Sequence, residues 1–246
     1  VFYQFIDITI NKSKKNELVD LKYIIFGGEA LNLSQLKPWF NYYDYNKPKL
    51  INMYGITETT VHVTYKTIEA QDLGESSYIG KMLPDLKAYV LGIDLNPLPV
   101  GGVGELYIGG VGLARGYLNR PDLTAEKFIV NPFQTKEEEF QNKNGRIYKT
   151  GDLVRWLPDG NLEYIGRNDF QVKIRGYRIE LGEVEAVLSS YEGIRQSVVL
   201  TKEHRDAEGL STGNKYLVGY YVSEVKLDEE NILSYLQTKL PDYMAP

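Results

Sequence analysis

Apolar and polar residues alternate most regularly between Leu153 and Leu181. Leu153 to Leu157 and Asn161 to Ile165 flank Pro158-Asp159-Gly160. Pro presets φ and Gly accepts a positive φ, so this pattern predicts a β-hairpin. A second hairpin is predicted directly after it. Val172 and Ile174 alternate with Lys173 and Arg175, the turn falls at Gly176-Tyr177, and Ile179 and Leu181 alternate with Arg178 and Glu180. Asp169 sits at the joint between the two hairpins.

Upstream of that joint the pattern is strand-rich and punctuated by glycine. Ile24-Ile25-Phe26 and Leu50 to Gly55 read as short buried strands, with Ser34 to Phe40 as a helix between them. From Ser77 to Leu118 the reading is all-β: Tyr78 to Gly80, Lys87 to Leu91 and Gly104 to Ile108 are strand-like, and Asn96-Pro97 and Gly101-Gly102 are turns. A short helix is expected over Thr124 to Phe128 and an acidic surface loop over Pro132 to Gly145. Downstream, short strands alternate with amphipathic helices. Val184, Val187, Leu188 and Tyr191 share one face of a helix over Glu183 to Tyr191, and Ile232, Leu233, Leu236 and Leu240 share one over Asp228 to Leu240. Strands over Ser197 to Thr201 and Tyr216 to Val222 are expected on either side of a loop from Glu203 to Lys215. The change of pattern marks Asp169 as a domain boundary, with domains over 1–168 and 169–246.

Composition narrows the function. With 246 residues, 43% hydrophobic and 25% charged, the chain has the makeup of a globular protein. A net charge of −5 with dispersed Lys and Arg disfavours nucleic acid as a partner. The absence of cysteine excludes a disulfide scaffold, a Cys-ligated zinc and a thiol nucleophile. Only His62 and His204 could supply imidazole, which disfavours a His-rich metal site or a Ser-His-Asp triad. No apolar run approaches the ~20 residues that span a bilayer, and Val1 to Ile6 lacks a basic signal-peptide start, so no membrane and a cytoplasmic location are expected. The chain starts mid-pattern at Val1 and stops at Met244-Ala245-Pro246 just after a helix, as a piece of something longer would.

Three stretches carry candidate chemistry. The paired Gly27-Gly28 after a strand allow a ligand or a neighbouring backbone to approach closely, or simply form a tight turn. Ile56-Thr57-Glu58-Thr59-Thr60-Val61-His62 sets hydroxyls and a carboxylate straight after a strand. Hydroxyls donate to phosphate oxygens and a carboxylate is a hard ligand for Mg²⁺; the alternative is a helix start with Thr57 as cap and Glu58 facing the dipole. The run Gly101 to Gly116 misses the spacing and context of a dinucleotide-binding fingerprint and is not read as one.

Five ordered blocks resemble the adenylation domains of nonribosomal peptide synthetases, within the adenylate-forming enzymes that include acyl-CoA ligases and luciferases. They are Asn52-Met-Tyr-Gly-Ile-Thr-Glu58, Gly104 to Leu118, Tyr148-Lys-Thr-Gly-Asp152, Gly166 to Glu185 and Leu240 to Pro246. The resemblance implies an α/β plus β-barrel fold. Its distal large subdomain would comprise a βα layer over about 1–75 and a barrel part over about 76–168, followed by a hinge at Asp169 and an incomplete, mobile α+β subdomain. It implies amino-acid activation with ATP and Mg²⁺, and loading onto the phosphopantetheine of a carrier-protein domain beside neighbouring synthetase domains. Asn52 and Tyr54 would contact adenine, Thr57 phosphate, Glu58 Mg²⁺ and Asp152 the ribose hydroxyls. Tyr164 would pack near the adenine, Arg167 would lie near phosphate or ribose, and Lys173 would face the site after the hinge swings. Ile25, Gly27, Gly28, Met53, Val61 and His62 would line the side-chain pocket, in a pattern resembling threonine-activating domains. The family's upstream phosphate loop and downstream catalytic lysine have no counterpart in this sequence, so activity is expected of the intact parent. An acyl-CoA-forming relative and an inactive binding fragment are the alternatives.

Overall fold

A computed structural model describes residues 5, 6, 8, 9, 20–43, 48–74, 76–205 and 211–246. The expected approach to the first strand, Asn16 to Tyr23, lies largely outside them, as does the tip of the loop expected between Glu203 and Lys215. Contacts divide the chain into two compact units, Val1–Asn168 and Asp169–Pro246. None of the described helices is long and apolar enough to cross a membrane.

Unit 1 is built on a nine-stranded mixed sheet. Its strands are β1 (Tyr23–Phe26), β2 (Lys49–Tyr54), β3 (Thr64–Thr67), β4 (Ser77–Met82), β5 (Leu86–Leu91), β6 (Val103–Gly110), β7 (Phe128–Val130), β8 (Arg146–Trp156) and β9 (Leu162–Arg167). The order is β1-β2-β3-β4-β9-β8-β6-β5, with β7 also on β8, and β1 with β2 is a parallel pair. The chain crosses between those two through a 3₁₀ turn at Leu33–Leu36 and helix α1 (Lys37–Tyr42), which starts with Pro at its N-terminus, where the missing N–H costs nothing. Leu33, Leu36, Trp39 and Phe40 bury this crossover against Leu50 and Ile68. Each such burial stabilises by about 2 kcal/mol before chain entropy is counted.

The sheet corrects two expectations. No ladder joins β5 back to β4, because β3 and β9 already hold both edges of β4, so the described strands form an open sheet and a closed barrel over 76–168 is not seen. β1 is an edge strand and Ile25 is 57% exposed, so its apolar run is not a buried strand. Smaller differences have local causes. Helix α2 (Pro121–Lys127) begins at Pro121, earlier than Thr124, and the acidic stretch holds a short helix α3 (Lys136–Phe140) closed by a Thr135–Glu138 capping box.

The hairpin β8–β9 turns at Pro158-Asp159-Gly160, with Gly160 at φ +78°. β8 is the central strand: β6 runs along one edge, and β7 and β9 share the other. Leu106, Ile108, Val154 and Leu162 pack beneath it with Tyr54 and Val63.

Unit 2 begins with the hairpin β10 (Gln171–Ile174) and β11 (Tyr177–Glu180), whose turn is Arg175-Gly176, both at positive φ. The turn therefore falls one residue before the expected Gly176-Tyr177, in the geometry whose twist matches the strands. Helix α4 (Leu181–Ser189), the hairpin β12 (Ile194–Arg205) and β13 (Ser211–Ser223), and helix α5 (Glu229–Lys239) enclose a core of Ile179, Val184, Leu188, Val199, Leu217, Ile232 and Leu236. The ladder runs out to Arg205 and Ser211, so much of the expected loop is strand; main-chain pairing needs no apolar side chain. Leu233, expected inward, is 40% exposed.

Candidate functional site

Strand β2 alternates a buried face, Leu50, Asn52 and Tyr54, with the less buried Ile51 and Met53. That alternation aims Asn52 and Tyr54 into the sheet's covered side. The Asn52 Nδ2 donates to the Tyr78 carbonyl at 2.7 Å, and the Tyr54 hydroxyl donates to Asp152 Oδ2. Asp152, on β8, is 1% exposed. Its other oxygen accepts from Arg167 Nη1 on β9 at 2.6 Å, and Arg167 Nη2 also donates to the Thr150 carbonyl at 3.2 Å. The pairing follows from register, since Asp152 lies opposite Arg167 in the β8–β9 ladder. Thr150 Oγ1 accepts the Asp152 N–H at 3.0 Å and donates to the Leu106 carbonyl at 2.7 Å, tying the turn of chain before the carboxylate to β6.

Burial pushes the Tyr54 phenol well above its ordinary range, and the Asp152 carboxylate adds to that shift. It stays a protonated donor at neutral pH. The Tyr164 ring lies 6.5 Å from that of Tyr54. Beside this cluster, Glu105 on β6 accepts the Gly151 N–H and the Asn168 Nδ2, each at 3.0 Å.

A second buried carboxylate follows β2. Thr57–Thr59 is a single 3₁₀ turn with Ile56, not Thr57, in the capping position, so the helix-start alternative for Thr57 and Glu58 does not hold. Glu58 is 7% exposed, and its Oε1 accepts from the Tyr117 hydroxyl at 2.6 Å and the Tyr148 hydroxyl at 3.0 Å. The chain then passes through Thr60 and Val61 at φ +59° and +71°. A β-branched residue there stores strain on the order of 1–3 kcal/mol, held by main-chain bonds such as Val63 N to the Tyr54 carbonyl. Gly55 is obligatory at this crossing, since a Cβ would stand 1.8 Å from the Val61 carbonyl oxygen.

The expected pocket residues gather in part. A Cβ on Gly27 would lie 3.4 Å from the Met53 carbonyl oxygen and 3.7 Å from His62 Cε1, so Gly27, Met53 and His62 share one spot. Gly28 follows at φ +93°, while Ile25 and Val61 are largely exposed, Val61 at 61%. Asp169 and Lys173 belong to unit 2: Asp169 accepts the Gln171 N–H at 3.1 Å, and Lys173 sits on β10 opposite Arg178.

Comparison with known proteins bears on the family of the chain. A family model described as AMP-binding enzyme matches residues 2–118. Malpinin synthetase of Mortierella alpina is 46% identical over 262 residues, covering 100% of this chain and 3% of its own length. A dimodular nonribosomal peptide synthase of Bacillus subtilis (strain 168) is 46% identical over 248 residues, covering 100% of this chain and 10% of its own. The chain belongs to the AMP-binding enzymes, as part of a nonribosomal peptide synthetase adenylation domain.

Solved adenylation domains share its fold. An artificially fused Adenylation-PCP di-domain, NpsA-ThdA from Klebsiella oxytoca, superposes with a TM-score of 0.77 at 26% identity, over 100% of this chain and 42% of that one. The Vibrio cholerae adenylation domain AlmE, solved with glycyl-adenosine-5'-phosphate, gives 0.77 at 26% identity, over 99% and 44%. This stretch of adenylation domain thus spans less than half of those chains and a tenth or less of the two synthetases. Sequence reading did not find Tyr117 and Tyr148 as partners of Glu58, nor Thr150 and Glu105 as supports of the chain around Asp152. All four lie inside the matched blocks, but only the folded pairing shows what they hold.

Proposed function

We propose that this chain supplies part of the site in which its parent synthetase activates an amino acid. The amino-acid carboxylate attacks the α-phosphate of ATP, the bond to the β-phosphate breaks, and aminoacyl-AMP and pyrophosphate result. The acyl group then passes to the phosphopantetheine thiol of a peptidyl carrier domain, releasing AMP. The observation that carries this reading is the buried Asp152 held between Tyr54 and Arg167. An ionised carboxylate only accepts hydrogen bonds, which suits it to paired ribose hydroxyls. Asn52, Tyr54 and Tyr164 supply the amide and rings for the adenine, Thr57 a hydroxyl for phosphate, and Arg167 a guanidinium for ribose or phosphate. Asp169 acts as the hinge between domains 1–168 and 169–246, and Lys173 brings a cation to the site when the second domain swings.

Glu58 would hold Mg²⁺. Among the described residues no group of three or more His, Asp or Glu forms a metal cage. A single hard carboxylate fits Mg²⁺, which is commonly bound through one or two carboxylates together with substrate phosphates. The ion would neutralise phosphate charge as it develops; Glu58 would fix where that charge is met. Two structural neighbours support the wider reading by what they are: one is solved with glycyl-adenosine-5'-phosphate, and another joins an adenylation domain to a carrier domain.

The substrate we assign is L-threonine. Gly27 leaves room, Met53 and Val61 offer apolar surface for the methyl group, and His62, against Gly27, can hydrogen-bond the hydroxyl. A site built to pair a hydroxyl rejects an analogue without one more strongly than an apolar pocket does. In the protein encoded by the full reading frame, ATP–pyrophosphate exchange should favour threonine over valine by about a hundredfold or more, and His62→Ala should remove most of that preference. Valine within twofold of threonine would end the hydroxyl-pairing role of His62, and no exchange with any amino acid would end the activation reading.

A further inference from the structure

The glycine-rich run after β6, which fits no nucleotide fingerprint, has a different task in the fold. It braces the segment that carries Glu58. The Ala114 N–H donates to the Glu58 carbonyl at 2.8 Å, and the Gly112 carbonyl accepts from Thr60 Oγ1 at 2.7 Å. A Cβ on Gly112 would stand 3.1 Å from the Thr59 carbonyl oxygen and 2.9 Å from Leu86 Cδ2, so the close approach depends on glycine. The same run ends in Tyr117, whose hydroxyl reaches Glu58 Oε1. Tyr148, fully buried on β8, reaches the same oxygen at 3.0 Å, and the two hydroxyls lie 3.0 Å apart. Both rings are wedged by Phe128, with centroids 5.8 Å and 4.8 Å away in edge contacts.

Main chain and side chain of Glu58 are therefore fixed by separate contacts, from the run after β6 and from β8. Two phenol donors converging on one carboxylate oxygen set the rotation of the carboxylate plane. Paired donors of this kind match how outer partners orient a metal-ligating group. We propose that Tyr117 and Tyr148 are positioning residues that aim the Glu58 carboxylate at the Mg²⁺ of the nucleotide complex, with Gly110 to Tyr117 as the brace. The inference rests on the reading of Glu58 as a Mg²⁺ ligand.

Tyr117→Phe, Tyr148→Phe and the double variant keep the wedged rings and remove only the hydroxyls. In the protein encoded by the full reading frame, Mn²⁺ binding in the presence of α,β-methylene ATP is read by the loss of the free-ion electron paramagnetic resonance signal. Each single variant should weaken Mn²⁺ binding about tenfold and the double variant by up to about a hundredfold. The Mg²⁺ concentration giving half-maximal ATP–pyrophosphate exchange should rise in step, with the rate at saturating Mg²⁺ within threefold of the parent.

A purely structural role for the hydroxyls would lower the thermal midpoint and leave Mn²⁺ binding within twofold, and that result overturns the proposal. Glu58→Gln separates the two readings. If it weakens Mn²⁺ binding while the Phe variants do not, positioning is wrong and the ligand role stands; if it too has no effect, both fall. Should the double variant fail to fold, Tyr117→Phe, whose ring is only partly buried, carries the test.

Discussion

The surroundings of Asp152 and those of His62 are held in opposite ways within the same unit. Around Asp152, side chains from β2, β8 and β9 bond to one another across as many as 98 residues of sequence, and the acceptors and donors are buried together. Around His62 the work is done by the main chain: a glycine that admits a carbonyl, two residues at positive φ, and amide bonds that hold the bend. The exposed side chains there, Ile25 and Val61, project from a backbone that is set without them. The difference teaches that a buried side-chain network ties chemistry to stability, whereas a backbone-built rim leaves its side chains replaceable.

The largest effect that would sharpen this contrast is expected at the network. Asp152→Ala leaves the Arg167 guanidinium, 9% exposed as a side chain, without its buried partner. Loss of about 3–5 kcal/mol in urea unfolding is expected, followed by tryptophan fluorescence, since Trp39 and Trp156 both report on unit 1. A loss below about 1 kcal/mol would break the comparison. Next comes the backbone of the rim. Gly55→Ala should cost about 2–3 kcal/mol, because the clash is with a carbonyl and not with a side chain that could turn away.

The smallest effect is one of pH. Burial first, and then the Glu105 carboxylate, push the Tyr107 phenol up to about 12. An unfolded tyrosine ionises near about 10, so the neutral form is favoured by folding. Its contribution is intact below about pH 10 and is lost as the pH climbs towards about 12. Stability should fall across that window, and Tyr107→Phe should flatten the fall; an unchanged slope would remove Tyr107 from the account.

Much of the local structure was legible because single residues dictate it. Pro158-Asp159-Gly160 specifies its turn, and the face of Val184 and Leu188 follows from helical spacing. The second turn falls one residue before its expected place because Arg175 takes a positive φ that nothing in its side chain announces. The exposure of β1 was not legible either: an apolar triplet looks the same whether or not another layer covers it. The extension of the β12–β13 ladder through polar residues was hidden for the converse reason. At the candidate site, the carboxylates stand out by residue type and motif. Their partners do not, since Tyr117 and Tyr148 lie 59 and 90 residues from Glu58 and meet it only in the folded chain.

That strand order also bears on synthesis. Through the described ladders, β9 is the sole link between the set β1 to β4 and the set β5 to β8, and it is the last of the nine to be made. As the chain leaves the ribosome, two partial sheets can assemble one after the other, yet they merge only once Leu162 to Arg167 has emerged. Until then the edges of β4 and β8 that β9 will join stay open, and a pause in translation within this window would prolong the interval in which mispairing competes with folding.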